Sequence, residues 1–538
     1  MSFSRSVSDG RDPDEESGRR HSVSIQKQDA REGQGSHDET AAPDPSAASL
    51  GSRKALVAYL ILCFSTGPTS SMVYNYVSAA IQSAANLVGH QPGSDKPCAR
   101  RGSSITCLVR FGAGEIDYLS YLLYLRAIGR AMEGILTIFT AGMADYSYYR
   151  KAMMIGAIIL FGGLALPFAA LTKSTYPYLV ALSVLYCCLT TIQGVYAVIE
   201  SSYIPIFMRS AGWFRSSPVV SVTTPAERSS VEKQTWTKGV TVSVLALVSG
   251  NVGSLVALII GVILVYTRGS YVQVGYHNYL LAITIAGSLT IVFALIGNWL
   301  LPSIPGQPKP KGENVFHLMI KGWVSMFSSV RRYPEAFKLC IGWVLWNTAY
   351  SNYNSLIQAL FLEVTGISNG SGVYQVWSFT AVLCASLGSL SFLFIFPRVK
   401  IPVKRWAYVF LSVNFLCLLW GCIGINPNVP IGFKNQPEFW VEQVLFLSTS
   451  SALRSYNRAV YSSLIPKGSE AQFFGLEITL DLAIGWINPL VQGVIQNRTH
   501  NLRFPMLPNI FLMVIAIFLY FKVDIDKGIE DAKVPLRG

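Results

Sequence analysis

Apolar segments of about 20 residues recur along most of this 538-residue chain, and they restrict its fold more than any other feature. Each segment is long enough to cross the hydrocarbon core of a bilayer as a helix. Hydrophobic residues make up 51% of the chain and charged residues 14%, whereas soluble proteins carry roughly 25% charged residues. The sequence therefore predicts an all-α membrane protein that crosses the bilayer many times.

Twelve such segments can be marked, and they predict six transmembrane helices in each half of the chain. The predicted spans are 55–83, 117–140, 152–172, 176–204, 239–266, 277–301, 338–363, 373–396, 403–425, 438–464, 471–496 and 502–523. The N-terminal segment has too few bulky apolar side chains to fold, so we expect it to be disordered. The expected organisation is a disordered cytosolic tail, an N-terminal six-helix half, a cytosolic central loop, a C-terminal six-helix half and a cytosolic C-terminal tail, at 1–53, 54–301, 302–337, 338–523 and 524–538.

Basic residues in the loops predict the orientation of these spans. With both termini in the cytosol, most loop Lys and Arg residues lie on the cytosolic side, as the positive-inside rule requires. The loop after the seventh span, on the opposite side, has neither residue type. The loop after the first span is an exception to this trend, with Lys96, Arg100, Arg101 and Arg110.

Two kinds of covalent site agree with this orientation. The sequons at Asn369 and Asn497 follow the seventh and eleventh spans, on the non-cytosolic side where glycosylation occurs. Cys98 and Cys107 lie nine positions apart in one polar loop on that same side. If this loop faces an oxidising lumen, the two cysteines are expected to form a disulfide.

A five-residue pattern appears twice in the chain. Ser-Ser-Tyr-Ile-Pro at 201–205 closes the fourth predicted span, and Ser-Ser-Leu-Ile-Pro at 462–466 closes the tenth, 261 positions later. Two halves of six helices repeated in parallel are the architecture of a large class of transporters. The repeat therefore favours a transport function.

Charged residues inside the second span are candidates for transport. Arg126, Arg130 and Glu133 are spaced four and three apart, which puts them on one helix face. Charges near the middle of a bilayer cost several kcal/mol unless they are paired or face a cavity. We consider two roles: a substrate or proton site, or an ion pair that locks the first half.

Further intramembrane charges are predicted in the fourth, tenth and eleventh spans. Arg454 and Arg458 share one face of the tenth span, and Glu477 and Asp481 share one face of the eleventh. Salt bridges between these two helices could form in one access state and break in the other, or they could be structural. Glu200, at the inner end of the fourth span, is a candidate gate residue or reaches the interface.

The seventh span contains a polar stripe. Asn347, Ser351, Asn354 and Gln358 are spaced four, three and four apart, and Tyr350 and Tyr353 flank them. A stripe of this kind in a membrane helix faces water or substrate, or it makes hydrogen bonds to a neighbouring helix. We favour a substrate-binding face, because neutral amides and tyrosines suit zwitterionic or polar organic solutes.

The loop after the second span contains Gly142, Asp145, Arg150 and Lys151. An acidic residue followed by basic residues can cap helix ends and hold two spans together in one access state. The loop resembles the loop motif of the major facilitator superfamily, although Ala141 replaces one of its glycines.

With these residues in place, the chain resembles the autophagy-related protein 22 family, fungal vacuolar effluxers of the major facilitator superfamily. The stretches that carry the resemblance are Pro97-Cys98 to Cys107 with Phe111-Gly112, the loop 142–151, SYIP at 202–205, RRYPEAFK at 331–338, YSSLIPKGSEAQFFGL at 461–476 and VDIDKGIEDA at 523–532. The resemblance implies a multi-pass vacuolar membrane protein that exports amino acids, such as leucine, isoleucine and tyrosine, after autophagic breakdown. The first span departs from the better-known members at 64–86.

Several functions remain open from the sequence, and others are disfavoured. The first expectation is a vacuolar amino-acid exporter working by alternating access, with protons as a candidate coupling ion. The alternatives are a facilitator of another small solute, or a transporter-like nutrient receptor. We expect no enzyme and no cofactor, because the chain has no P-loop, HExxH or GxSxG motif, and its Cys/His spacing does not suggest zinc. The net charge of +13 lies mainly in the loops, so nucleic-acid binding is not expected.

Overall fold

The computed structural model separates the chain into two units, 1–44 and 45–538. The first unit, and with it nearly all of the predicted disordered tail, lies outside the described residues. The structure describes residues 52–93, 98, 107–146, 149–210, 225–268, 272–304, 314, 317, 320–321, 323–324, 329–366, 372–399, 401–485, 487–499 and 501–533.

In the first half of the second unit, the described residues form helices and one short hairpin. Its helices are α1 (Arg53–Met72), which passes through a π turn (Val73–Val77) into α2 (Ser78–Val88), then α3 (Tyr118–Ala144), α4 (Tyr149–Ala165), α5 (Tyr176–Arg209), α6 (Pro225–Arg268) and α7 (Val272–Leu300). The hairpin pairs β1 (Leu108–Phe111) with β2 (Gly114–Asp117) in antiparallel register, with Phe111 opposite Gly114.

The remaining elements are all helical. They are α8 (Pro334–Thr365), α9 (Gly372–Ile395), α10 (Val403–Ile423), α11 (Gln436–Glu442) with a π turn (Gln443–Leu447), α12 (Ser448–Leu464), α13 (Glu470–Gly485), α14 (Ile487–Thr499), α15 (Leu507–Lys522) and α16 (Ile525–Ala532). The segment expected to be a simple C-terminal tail therefore includes an eight-residue helix, capped by the Asp524 side chain.

Proline and glycine set the ends of the longest helix in the second half. Pro334 lies in the first turn of α8, where a missing N–H is tolerated, so this helix begins four residues before the predicted span. Gly366 follows α8 with φ +65° and ends it in the left-handed conformation.

Within the described residues, nine helical segments are long and apolar enough to cross a membrane. They are Arg53–Val88, Tyr149–Ala170, Tyr176–Arg209, Gln234–Arg268, Tyr276–Leu300, Gly372–Ile395, Val403–Ile423, Glu470–Gln492 and Phe504–Lys522. The other three predicted spans fall on α3, α8 and α11–α12, which are helices but are more polar. These three helices carry most of the candidate site residues.

Close backbone approach holds α1 against α6. A methyl group added at Gly67 would collide with the Gly250 carbonyl oxygen, and one added at Gly253 would collide with the Phe64 carbonyl oxygen. Ser254 also donates a hydrogen bond to the Gly67 carbonyl oxygen at 3.0 Å. Small residues of this kind let membrane helices pack tightly.

Hydrogen bonds join loops and helix ends at the two ends of the bundle. At the first, which we call the Asp145 end, the loop after α3 contacts the start of α13. At the second, the Gly432 end, Arg503 donates to the Gly432 and Phe433 carbonyl oxygens at 3.2 and 2.7 Å. Between these ends, α3 packs against α13 and α6 packs against α9. These contacts join early parts of the chain to late ones.

Replacing Gly67 by Ala should destabilise the protein by about 1–3 kcal/mol, because the added methyl group has no space between α1 and α6. Gly156→Ala is the matched control, since a methyl group at Gly156 meets no atom within 4 Å. The measurement is the thermal unfolding midpoint of the detergent-purified variants. Equal midpoints for the two variants would contradict the proposed contact.

Candidate functional site

A buried ionic network lies at the Asp145 end. Arg150 donates to Asp145 Oδ1 at 2.8 Å and to Glu470 Oε2 at 3.2 Å. Arg209 donates to the other oxygen of Glu470, Oε1, at 2.6 Å. The side chains of Asp145, Arg150 and Glu470 are each 6% exposed or less, so solvent screens their interactions little. We call these four residues the interlock.

The interlock also uses the start of a helix. The backbone N–H groups of Ala471 and Gln472 donate to the two Asp145 carboxylate oxygens, each at 3.0 Å. A carboxylate at a helix N-terminus is stabilised by the unpaired N–H groups and by the helix dipole. Burial raises the pKa of Asp145 to about 6, against the opposing effect of Arg150 and these backbone donors. Asp145 thus stays ionised at neutral pH and ties the loop after α3 to α13.

The other predicted residues of this loop lie beside the interlock. Gly142 is buried in the last turn of α3. Lys151 donates to the Leu301 carbonyl oxygen at 2.6 Å, at the end of α7. Asp145 and Arg150 of the predicted loop motif therefore contact the start of α13, whereas Lys151 contacts the end of α7.

A second charged group lies within α3. Arg130 donates to Glu133 Oε2 at 2.9 Å, and the side chains are 47% and 8% exposed. Gly194 on α5 makes room for Glu133, because a methyl group there would collide with the glutamate side chain. Arg126, one turn before Arg130, is exposed. The pair thus has a buried anion and an accessible cation.

A third group joins α8, α12 and α13. Arg454 donates to Asn347 Oδ1 at 3.1 Å, and Asn347 Nδ2 donates to Asp481 Oδ1 at 3.3 Å. Thr348 donates to the same Asp481 oxygen at 3.3 Å. The Arg454 guanidinium also lies 5.1 Å from the centre of the Tyr350 ring, a cation–π contact.

The salt bridges expected between α12 and α13 are replaced here by hydrogen bonds through α8. Among the described residues, Arg454 and Arg458 make no ion pair within 4.0 Å with Glu477 or Asp481. The reason is that Asn347 of α8 stands between Arg454 and Asp481 and bonds to both. A neutral amide therefore keeps the two opposite charges apart.

Arg458 faces acidic groups on two helices. Both Glu200 of α5 and Glu477 of α13 lie within electrostatic range of it. Glu200 is 8% exposed, and its carbonyl oxygen accepts a hydrogen bond from Tyr59 at 2.9 Å. Glu200 is therefore packed in the bundle and does not extend to the interface.

The polar stripe of α8 lies on the less buried side of that helix. Ser351 is exposed, whereas Trp346 and Leu356 are 0% and 8% exposed and belong to the core. The other stripe residues are intermediate, and they are Asn347, Tyr350, Asn354 and Gln358.

The sequence reasoning missed two residues at π turns. Tyr74 lies in the π turn after α1, is 60% exposed, and acts electrostatically on Arg130 and on Tyr350. Glu442 immediately precedes the other π turn and is 4% exposed. A π turn has no simple sequence pattern, although such turns are frequent at functional sites. Nothing in the spacing of apolar residues singled out either side chain.

Tyr74 and Asp481 connect the first-half charges with the second-half group. Arg130 and Glu133 lie within electrostatic range of Asp481, on α13. We call the resulting set the central site, and its members are Tyr74, Arg130, Glu133, Asn347, Tyr350, Arg454 and Asp481. It combines cations, carboxylates, amide groups and aromatic rings contributed by five helical segments.

The structure describes the predicted covalent sites only in part. Cys98 and Cys107 are joined by a disulfide with a Cα–Cα distance of 5.5 Å. Asn369 lies outside the described residues, whereas the backbone of Asn497 belongs to α14. Across the part of the chain that the structure describes, no group of three or more His, Cys, Asp or Glu side chains could hold a metal ion.

Comparison with known structures identifies the fold. The human organic anion transporter MFSD10 matches with a TM-score of 0.56 and 12% identity, covering 87% of this chain and 99% of that one. The proton:xylose symporter XylE of the major facilitator superfamily matches with a TM-score of 0.58 and 9% identity, covering 90% and 97%. Identities this low show a shared transporter fold only.

Comparison of sequences is more specific. A family model described as "Vacuole effluxer Atg22 like" matches residues 51–533. The autophagy-related protein 22 of Candida albicans is 44% identical over 473 residues, which cover 88% of this chain and 90% of the relative. That of Saccharomyces cerevisiae is 22% identical over 512 residues, covering 87% and 91%. The chain therefore belongs to the Atg22-like vacuole effluxer family of membrane transporters, with the fold of the major facilitator superfamily.

Proposed function

We propose that this protein exports amino acids, such as leucine, isoleucine and tyrosine, from the vacuole to the cytosol by alternating access. The observation that carries this proposal is the central site, in which the amide of Asn347 bonds to both Arg454 and Asp481. An amino acid carries a carboxylate and an ammonium group on one carbon. Arg454 can bind the first and Asp481 the second.

The bridge by Asn347 suits a site that must bind and release its substrate. The Asn347 amide makes ion–dipole hydrogen bonds to Arg454 and Asp481, whereas a charged partner would add direct attraction between opposite charges. A zwitterion that displaces the amide would therefore bind both Arg454 and Asp481 more strongly than Asn347 does. When the zwitterion leaves, Asn347 again bridges the two charged side chains. A sugar has no charge to match either group, so the site favours a zwitterion over that alternative solute.

Aromatic rings supply a surface for the substrate side chain. Tyr350 stacks on Phe446 with ring centres 5.6 Å apart and an interplanar angle of 13°. Tyr74 lies nearby on the α1 side and is 60% exposed. The rings of Tyr350 and Tyr74 suit large apolar or aromatic substrate side chains better than small polar ones.

The proposal includes twelve spans in two six-helix halves, with both termini in the cytosol. The spans that are too polar to count by apolarity alone are α3, α8 and α11–α12, and several of their polar residues belong to the central site. An ion pair supports the internal repeat, since Arg209 and Glu470 are 261 positions apart, the offset between the Ser-Ser-x-Ile-Pro segments. Corresponding residues of two repeats are expected to meet near the axis that relates them.

Alternating access requires the interlock to break. In the conformation described, the Asp145 end is held by the interlock, and the proposed topology puts that end in the cytosol. Arg126 on α3 and Ser351 and Ser355 on α8 are exposed. The conformation therefore corresponds to one that is closed to the cytosol, from which substrate would be released only after Asp145 and Glu470 separate from their partners.

Asp481→Asn should raise the half-saturation concentration for leucine about tenfold or more, because it removes the anion proposed to bind the ammonium group. The measurement is counterflow of labelled leucine into vesicles that carry the purified protein. Asp526→Asn, at an exposed position of α16, is the control and should leave the value unchanged. An unaltered half-saturation in Asp481→Asn would exclude this aspartate from the binding site.

A cysteine placed at Ser351 should react with a small aqueous thiol reagent, and leucine should slow the reaction. Ser351 is exposed on the polar stripe, whereas Leu356 of the same helix is 8% exposed and packed in the core. Leu356→Cys is therefore the matched control and should stay unreactive. Faster labelling at Leu356 than at Ser351 would place the stripe in a packing interface.

Removing Arg209 and Glu470 together should cost less than the sum of the single removals, by about 1–3 kcal/mol, because the two side chains share one ion pair. The variants are Arg209→Gln, Glu470→Gln and the double change, compared by thermal unfolding of the purified protein. Additive losses would show that the ion pair does not stabilise the closed Asp145 end.

A further inference from the structure

A buried carboxyl group at the Gly432 end has no role in the transport site described above. Glu442 is the last residue of α11, where the chain enters the π turn Gln443–Leu447. Its side chain is 4% exposed, and its Oε1 atom has no hydrogen-bond partner. Within the described residues, no cation lies within 4.0 Å of it. An isolated buried carboxylate is very costly, and such a group becomes neutral instead.

The surroundings of Glu442 contain titratable groups but no cation in contact. Tyr350 and Tyr353 face it from α8, Cys384 faces it from α9, and Cys417 faces it from α10. Tyrosine and cysteine are ordinarily neutral at physiological pH. The protein therefore offers Glu442 nothing that would stabilise its ionised form in this conformation.

Arg454 is too distant to neutralise Glu442 directly. The two residues are 12 positions apart along one helical rod, or about 18 Å. Tyr350 lies between them, with Arg454 over its ring at 5.1 Å and Phe446 of the π turn stacked on it at 5.6 Å. The segment that positions Glu442 therefore also supports the ring against which the Arg454 guanidinium lies.

From these observations we infer that Glu442 is a proton-binding site, and that acidity on the Gly432 side of the membrane favours the conformation closed at the Asp145 end. Loss of the proton would leave a bare anion behind the Tyr350 ring. The π turn would then have to move to bring Glu442 to water or to a cation. The consequence for transport rests on the proposed function, but proton binding itself does not.

Infrared difference spectroscopy of the purified protein tests the proton site without any substrate. The carbonyl band of a protonated carboxyl group should persist above the pH range of ordinary glutamates and should disappear in Glu442→Gln. Glu363→Gln, an exposed glutamate on α8 at the same end, should keep the band. Glu442→Asp, which retains a carboxyl on a shorter side chain, should shift it. An identical band in wild type and Glu442→Gln would overturn the proposal.

Labelling of Ser351→Cys tests the conformational consequence. Glu442→Gln mimics the protonated state of Glu442. In acid, the labelling rate of Ser351→Cys with Glu442→Gln, divided by that of Ser351→Cys alone, should therefore be near 1. The ratio should rise to about threefold or more at about pH 8. At that pH only the protein with Glu442 loses its proton and leaves the conformation closed at the Asp145 end. Taking the ratio cancels the effect of pH on thiol reactivity. Glu363→Gln is the control, and its ratio should stay near 1 at every pH. A ratio for Glu442→Gln that also stays at 1 at every pH would overturn the coupling. Failure of leucine counterflow alone would count against the proposed substrate and leave both readouts intact.

Discussion

The cost of an unsatisfied polar group inside a membrane governs this structure. Helices α3, α8 and α12 contain arginines, carboxylates and amides at positions where a helix facing lipid would be unstable. They are stable in the bundle because their polar residues face one another, as Arg454, Asn347 and Asp481 do. The central site is therefore a condition of folding as well as the proposed functional centre.

The two ends of the bundle solve the same electrostatic problem differently. At the Asp145 end, buried carboxylates are matched by Arg150, Arg209 and the N-terminus of α13, so charges are fully paired. Toward the Gly432 end, Glu442 is buried, its Oε1 atom has no hydrogen-bond partner, and no cation of the described residues lies within 4.0 Å of it. A fully paired network is stable until its members separate, whereas an unpaired carboxyl responds to pH. This difference suits a latch on one side of the membrane and a sensor on the other.

Sequence reasoning worked best where the relevant geometry is local. The positions of helices follow from apolar segments and from prolines such as Pro334, and the spacing of Arg130 and Glu133 brings them within bonding reach on one helix. The family could be predicted because several long stretches resemble it, and the match over 51–533 confirms it. Twelve spans remain a prediction, since apolarity alone identifies nine within the described residues.

Contacts between distant helices could not be predicted in the same way. Salt bridges between α12 and α13 could be expected because the two helices are consecutive, but no pattern in either helix reveals that Asn347 of α8 lies between Arg454 and Asp481. The shared fold does not help, because transporters of an organic anion and of xylose have the same architecture at 9–12% identity. Substrate choice must therefore depend on a few side chains that the fold only positions. In the proposed mechanism, Asn347 has the most demanding role among them. A carboxylate at this position would hold Arg454 in an ion pair, and an apolar residue would leave Arg454 and Asp481 without this bridge. A neutral amide is therefore the residue type that lets the proposed site be empty and occupied in turn.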